Sequence, residues 1–239
     1  MISKKSNNLF TSLFLFIATV FIITIMSSCG KQTAVGGPTG LNVRYHILNL
    51  SPDLFPVNLY INYVKANTSP YVFAVDQGYF YVPSIINPFQ IRSASTAGTQ
   101  LLTRNDTLKT GLKYTLFITG TRGNNLLAQI FTVDTAKIAT VGRGKVRFVN
   151  ASPTGTGGLD VTANGTPAFS KIVYLSYSKF IELPVGNYDF QINATGSPTI
   201  LKDLPAVTIQ DGKAYTLYAY GYTTRIDTAA FNAAVIINQ

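Results

Sequence analysis

The stretch Phe180–Ile192, FIELPVGNYDFQI, decides the fold in its last five residues, where apolar Tyr188, Phe190 and Ile192 alternate with polar Asp189 and Gln191. A period of two sends successive side chains to opposite faces of an extended chain, so this segment reads as a half-buried β-strand. Pro184-Val185-Gly186-Asn187 ahead of it supplies a tight turn. Leu159-Asp160-Val161-Thr162-Ala163 alternates in the same way and runs into Asn164-Gly165, a favoured pair for a type I′ hairpin. Asp211-Gly212 marks a further turn.

FIELPVGNYDFQI has a counterpart 101 residues upstream. Tyr79–Ile91, YFYVPSIINPFQI, carries its proline and its Phe-Gln-Ile in identical places. Three more blocks recur in the same order at this offset: His46–Pro52 with Arg147–Pro153, each a strand ending in Asn-x-Ser-Pro; Val57–Asn62 with Leu159–Asn164, with one extra loop residue in the second copy; and Leu108–Gly120 with Ile209–Gly221. Such recurrence marks a duplication. About seven short strands per unit, separated by Gly, Pro and Asn, predict an all-β chain of two tandem antiparallel β-sandwich domains of immunoglobulin-like type. The expected first sandwich is 41–134, the linker 135–143 and the second sandwich 144–239. A single cysteine excludes an intrachain disulfide, so each core has to rest on packing of residues such as Phe148, Val161, Leu183, Phe190, Ile192 and Leu217.

The amino terminus indicates the compartment. Lys4 and Lys5 precede an uncharged, mostly apolar run from Leu9 to Met26, the order of an export signal. The run closes on Met26-Ser27-Ser28-Cys29-Gly30, which resembles a bacterial lipobox, with Met26 in the place usually held by Leu. Residues 1–28 are therefore expected to be a signal peptide, Cys29 to be acylated after cleavage, and 29–40 to form a small, flexible tether. The expected location is the bacterial outer membrane, lipid-anchored, with the domains on its periplasmic or cell-surface side. Loss of 1–28 leaves 17 basic against 10 acidic residues, formally +7. The positive residues are scattered, so solubility or weak attraction to anionic lipid and polysaccharide is expected rather than nucleic-acid binding.

The 239 residues are 46% apolar and only 12% charged, with 14 Tyr and 15 Phe, which argues against disorder. One His and one Cys exclude a Cys/His zinc site, and no metal or cofactor is expected. A calcium loop of Asp-x-Asp-x-Asp type, a P-loop and a Gly-x-Ser-x-Gly elbow are absent from the sequence. Asn49, Ser51, Asn150 and Ser152 are expected to satisfy backbone groups where strands end. His46, whose counterpart is Arg147, is expected to be an exposed strand histidine. In Tyr215–Tyr222, YTLYAYGY, alternation buries Tyr215, Leu217 and Ala219 and turns Tyr218, Tyr220 and Tyr222 to the other face. Those three tyrosines are the candidate binding residues, to be weighed against cross-strand packing or cover by the neighbouring domain.

Gly144–Pro153, Leu159-Asp160-Val161 with Asn164-Gly165, Phe180–Gly186 and Asp211–Thr216 resemble the bacterial domain of unknown function 4397. The first copy departs from that pattern at Asn62-Tyr63 and Ile85-Ile86. The resemblance implies exported or cell-surface domains, often in tandem, with no defining activity. The expectation is thus a non-enzymatic envelope lipoprotein, attached to the membrane by its lipid anchor and serving as a binding, adhesion or structural module for a glycan or envelope protein. The alternative is an auxiliary carbohydrate-binding lipoprotein serving glycan-processing or uptake partners.

Overall fold

The computed structural model describes residues 42–84, 86–94, 98–137, 140–154 and 157–238. The expected signal peptide, Cys29 and the tether lie outside them. Every regular element described is a strand. The first repeat holds β1 (Asn42–Asn49), β2 (Val57–Ile61), β3 (Val64–Lys65), β4 (Phe80–Pro83), β5 (Phe89–Ser93), β6 (Gln100–Arg104), β7 (Lys113–Thr119) and β8 (Ala128–Val133). The second holds β9 (Arg143–Asn150), β10 (Leu159–Ala163), β11 (Thr166–Ile172), β12 (Ser176–Tyr177), β13 (Ile181–Pro184), β14 (Gly186–Ala194), β15 (Ile200–Ile209), β16 (Ala214–Tyr220) and β17 (Asn232–Ile237).

Each repeat closes two sheets on each other. In the first, a front sheet of order β4-β1-β7-β8 faces a back sheet β3-β2-β5-β6; in the second, β12-β9-β16-β17, with β13 also paired to β9, faces β11-β10-β14-β15. The alternating strands work as their period demands. Phe190 and Ile192 of β14 and Val161 of β10 point inward to meet Phe148 and Leu217, while Leu183 packs partly buried against them. Tyr45, Ile47, Leu59, Ile91 and Leu116 make the equivalent first core. Each such side chain contributes roughly 1.5–3 kcal/mol when fully buried.

Two features go beyond a plain hairpin reading. β1 pairs in parallel with β7, and β9 with β16, so both front sheets are mixed. All seven residues of β7 and of β16 are buried. A strand buried on both faces needs cover on both, as near-continuous apolar runs reflect. The second cover is the other repeat. Leu48, Phe117 and Ile130 of one front sheet and Val149, Tyr218 and Ile236 of the other form a third core between the sandwiches.

The two front sheets run in the same direction. Lys113, at the start of β7, reaches Asn238, which is bonded to Ala214 at the start of β16; Thr119, at the end of β7, donates to the Ala151 carbonyl just beyond β9. The molecule therefore has a proximal pole, where β1 and β9 begin, and a distal pole, where β1, β7, β9 and β16 end.

Candidate functional site

The tyrosine row is placed as the alternation requires but is not exposed. Tyr215, Leu217 and Ala219 enter the second core. Tyr218 and Tyr220 take the opposite face and are only 3% and 8% exposed, because the first repeat's front sheet covers them. Their rings stack 5.8 Å apart, Tyr218 tilts against Phe117 at 5.8 Å, and Tyr220 meets Phe73 edge-on at 6.1 Å. Burial pushes the Tyr218 phenol far above its ordinary pKa. Tyr222, beyond the end of β16, is half-buried and separate from the other two. The expectation of an open three-tyrosine platform is corrected on this point: Tyr218 and Tyr220 are packing residues.

Beside these rings the seam is polar. His46 is fully buried, not exposed as its strand position suggests; its Nε2 lies 2.8 Å from Asp76 Oδ1 and its ring 5.0 Å from that of Tyr79. Arg147 occupies the equivalent place in the second repeat and is also buried. Its Nε donates to Thr216 Oγ1 and its Nη1 to the Val133 carbonyl, both at 2.9 Å; its Nη2 donates to Thr132 Oγ1 and to the Asp134 carboxylate, and Phe180 lies against the guanidinium. Asp134 also accepts from the hydroxyls of Tyr79 (2.7 Å), Thr115 (2.5 Å) and Thr132 (2.8 Å). Asn238 closes the circuit, donating to Tyr79 Oη and accepting from Thr216 Oγ1. Two buried charges are tolerable only when paired and hydrogen-bonded, and here both are. The cluster fastens the sandwiches together.

The open site lies at the distal pole. Asn49 Oδ1 accepts from Ser51 N, and Asn150 Oδ1 from Ser152 N, so both Asn-x-Ser-Pro ends turn as expected. Asp53 then takes the backbone N–H groups of Arg122 and Gly123, each at 2.9 Å, bracing the β7–β8 loop. Burial tends to raise the Asp53 pKa, but these donors and Ser51 outweigh it and hold the carboxyl low. Gly120 and Gly221 end β7 and β16 with φ of +81° and +76°. A Cβ at either would collide with a carbonyl of the following loop, Leu126 or Ala230. The chain therefore turns sharply at both, leaving a groove of about 680 Å³ between the repeats, lined by Asn124, Leu126, Tyr174, Leu175, Tyr222 and Arg225. Leu126, Leu175 and the neighbouring Ile226 are exposed. Arg225 is held by Asp227. Among the described residues no group of three or more His, Cys, Asp or Glu side chains comes together. Sequence reading missed this groove, although Leu126 and Ile226 are conspicuous as apolar residues within polar turn segments.

A family model described as Domain of unknown function (DUF4397) matches residues 43–157 and 144–236. The chain belongs to the DUF4397 family. No curated protein matches it. The overlap of the two DUF4397 segments, 144–157, spans most of β9 and the Asn150–Ser152 turn, the block that repeats β1 most clearly. In this DUF4397 chain the tandem units are joined by the faces that the tyrosines occupy, and the groove belongs to both.

Proposed function

We propose that this chain is a non-enzymatic lipoprotein of the bacterial outer membrane, anchored through Cys29, whose two DUF4397 units form one binding module for an envelope protein. The observation that carries this reading is the distal groove. It lies at the opposite end of β1 from the point where the chain enters the fold, and exposed aliphatic side chains rim it. Apolar side chains gathered around a concave junction are what a protein partner covers. The non-enzymatic part is supported by how the carboxylates are used: Asp53, Asp160 and Asp211 accept backbone N–H groups, and Asp76, Asp106, Asp134, Asp227 and Glu182 face basic partners.

A photo-crosslinking residue placed at Ile226, and separately at Leu126, is expected to give the same discrete adduct in intact envelopes, with none from Val185. Adducts of equal pattern from all three positions would overturn the reading. A carbohydrate ligand is the second reading, favoured by Tyr174 and Tyr222 lining one groove. Glycan binding that disappears in Tyr222→Ser without loss of stability would select it. The anchor has its own test, mass spectrometry of the peptide beginning at Cys29.

A further inference from the structure

The proximal pole differs in charge from the groove end. Arg44 lies near the start of β1, Lys65 in the hairpin strand β3, Lys109 and Lys213 in the loops entering β7 and β16, and Lys137 in the linker. None of the five has an ion-pair partner among the described residues. The carboxylates at this pole are already engaged: Asp106 with Arg104, Glu182 with Lys145, Asp134 with Arg147, Asp211 with the N–H groups of Gly142 and Arg143, and Asp189 with the N–H of Ala206. Lys113 lies at the centre, and burial together with the nearby positive charges of Arg44 and Lys213 lowers its pKa. Arg44 and Lys113 line a cleft of about 170 Å³ between the repeats. Exposed Tyr63, Val64, Val141 and Val185 stand among these charges, in the β2–β3 hairpin, ahead of β9 and at the β13–β14 turn.

We infer that this pole is an electrostatic footprint for a bilayer carrying anionic headgroups. The occupant follows from where the chain enters. β1 starts at this pole, and the thirteen residue steps from Cys29 to Asn42 reach at most about 45 Å, so an anchor at Cys29 holds the pole within that distance of the membrane. The inference thus takes its setting from the anchored reading above. Lysine and arginine at an anionic surface each strengthen association about fivefold, while the interspersed Tyr and Val side chains suit the headgroup boundary. The pole then rests on the membrane and the groove faces away from it.

The test uses the chain from Cys29 onward without acylation, which retains all seventeen strands and all three cores. It is expected to co-float with phosphatidylglycerol-containing vesicles at low salt, not with pure phosphatidylcholine, and to be released by raising ionic strength. The combined Arg44→Glu, Lys109→Glu and Lys213→Glu variant should bind the anionic vesicles more than a hundredfold less tightly with an unchanged thermal midpoint. Lys179→Glu with Lys202→Glu, away from this pole, should bind as the parent does. Equal binding to neutral vesicles, no binding to anionic ones, equal losses in both variants, or stronger binding to a soluble anionic polysaccharide than to vesicles would each overturn the inference. Because this form carries no acyl chain, these outcomes do not depend on whether Cys29 is lipidated in the cell.

Discussion

Phe117 and Tyr218 hold the same position in the two repeats, 101 residues apart in sequence, and their rings lie against each other with centroids 5.8 Å apart. Equivalent residues touch in this way when two copies of one surface meet across a local two-fold axis. Because β7 and β16 run in the same direction, that axis runs along the strands. Thr115 donates to Asp134 and Thr216 to Asn238, two further equivalent pairs in one geometry. At the centre the copies have diverged, His46 against Arg147 and Asp134 against Asn238. A symmetric apolar seam has thereby acquired one directed ion pair.

Arg147→Met is expected to destabilise the chain by about 3–5 kcal/mol, since it leaves the Asp134 carboxylate buried without its cation. Adding Asp134→Asn should recover a good part of the loss, because a neutral amide can keep the hydroxyl partners. Urea midpoints of the two singles and the double give the coupling. Additive losses would show that the pair does not act as a unit.

Tyr218→Ala removes a ring from the third core and should cost on the order of 3 kcal/mol. Tyr222→Ser, on the groove wall, should cost under about 1 kcal/mol. Thermal midpoints separate the two. A similar small drop for both would restore the open-platform reading.

How much of this was legible in the sequence depends on the type of signal. Periodicity gave the strands and the inward residues Phe190, Ile192, Val161 and Leu217, because one face of every alternating strand must be buried. The repeat offset gave the tandem organisation. Alternation also put Tyr218 and Tyr220 on the correct face; what it lacks is any term for what covers that face. The clue lay in AYTLYAY, where Thr216 is the one residue that is neither aliphatic nor aromatic, as suits a strand buried on both sides; KYTLFIT, with Lys113, Thr115 and Thr119, carries it less plainly. Tyr114 and Tyr215, each accepting the N–H five residues earlier, at Lys109 and Gln210, explain another repeated feature that pattern alone left unassigned. His46 is buried where its strand position suggests exposure because Asp76 and Tyr79, about thirty residues further along the same repeat, close over it, and Arg147 is buried against Asp134 of the other repeat; no local window contains either partner. The groove depends on loops from both repeats and leaves no motif.

Alkaline pH should open the protein. Burial, and for Tyr79 the charge of Asp134, raise the Tyr79 and Tyr218 phenols above their ordinary pKa near 10. The folded form therefore keeps protons that the unfolded form loses, and stability falls as pH rises above about 10. Tyr79→Phe with Tyr218→Phe should flatten that fall. A thermal midpoint independent of pH between neutrality and pH 11 would contradict this.

The β2–β3 hairpin holds Asn62 and Tyr63 at φ of +48° and +66°, matching Asn164 and Gly165 at +49° and +77°. A bulky residue in the left-handed region costs about 1–2 kcal/mol, and Gly returns part of that as unfolded-state entropy. Tyr63→Gly should accordingly stabilise the chain by roughly 0.5–1 kcal/mol, and Gly165→Tyr should do the reverse. Equilibrium denaturation of both variants checks the pair, and a destabilised Tyr63→Gly would mean that the ring makes compensating contacts.

The final prediction concerns assembly from separate halves. Each repeat contains its own two-sheet core, with members drawn from one repeat only. Residues 42–137 and 140–239 should therefore each fold when produced alone, but each would expose its share of the third core, Leu48, Phe117 and Ile130 on one and Val149, Tyr218 and Ile236 on the other. Local two-fold symmetry would let either half pair with itself, since Phe117 could meet Phe117 and Tyr218 could meet Tyr218. The polar centre opposes this. Two second halves would bury two Arg147 side chains facing Asn238 instead of Asp134, and two first halves would bury two Asp134 carboxylates facing His46. Unpaired buried charge is costly enough to set partner choice. Mixing the halves should give a one-to-one complex by light scattering, with a higher thermal midpoint than either half alone, and Arg147→Met in the second half should weaken it. Two halves that stay separate at tens of micromolar, or a second half that dimerises as readily as it pairs with the first, would show that the ion pair does not direct the assembly.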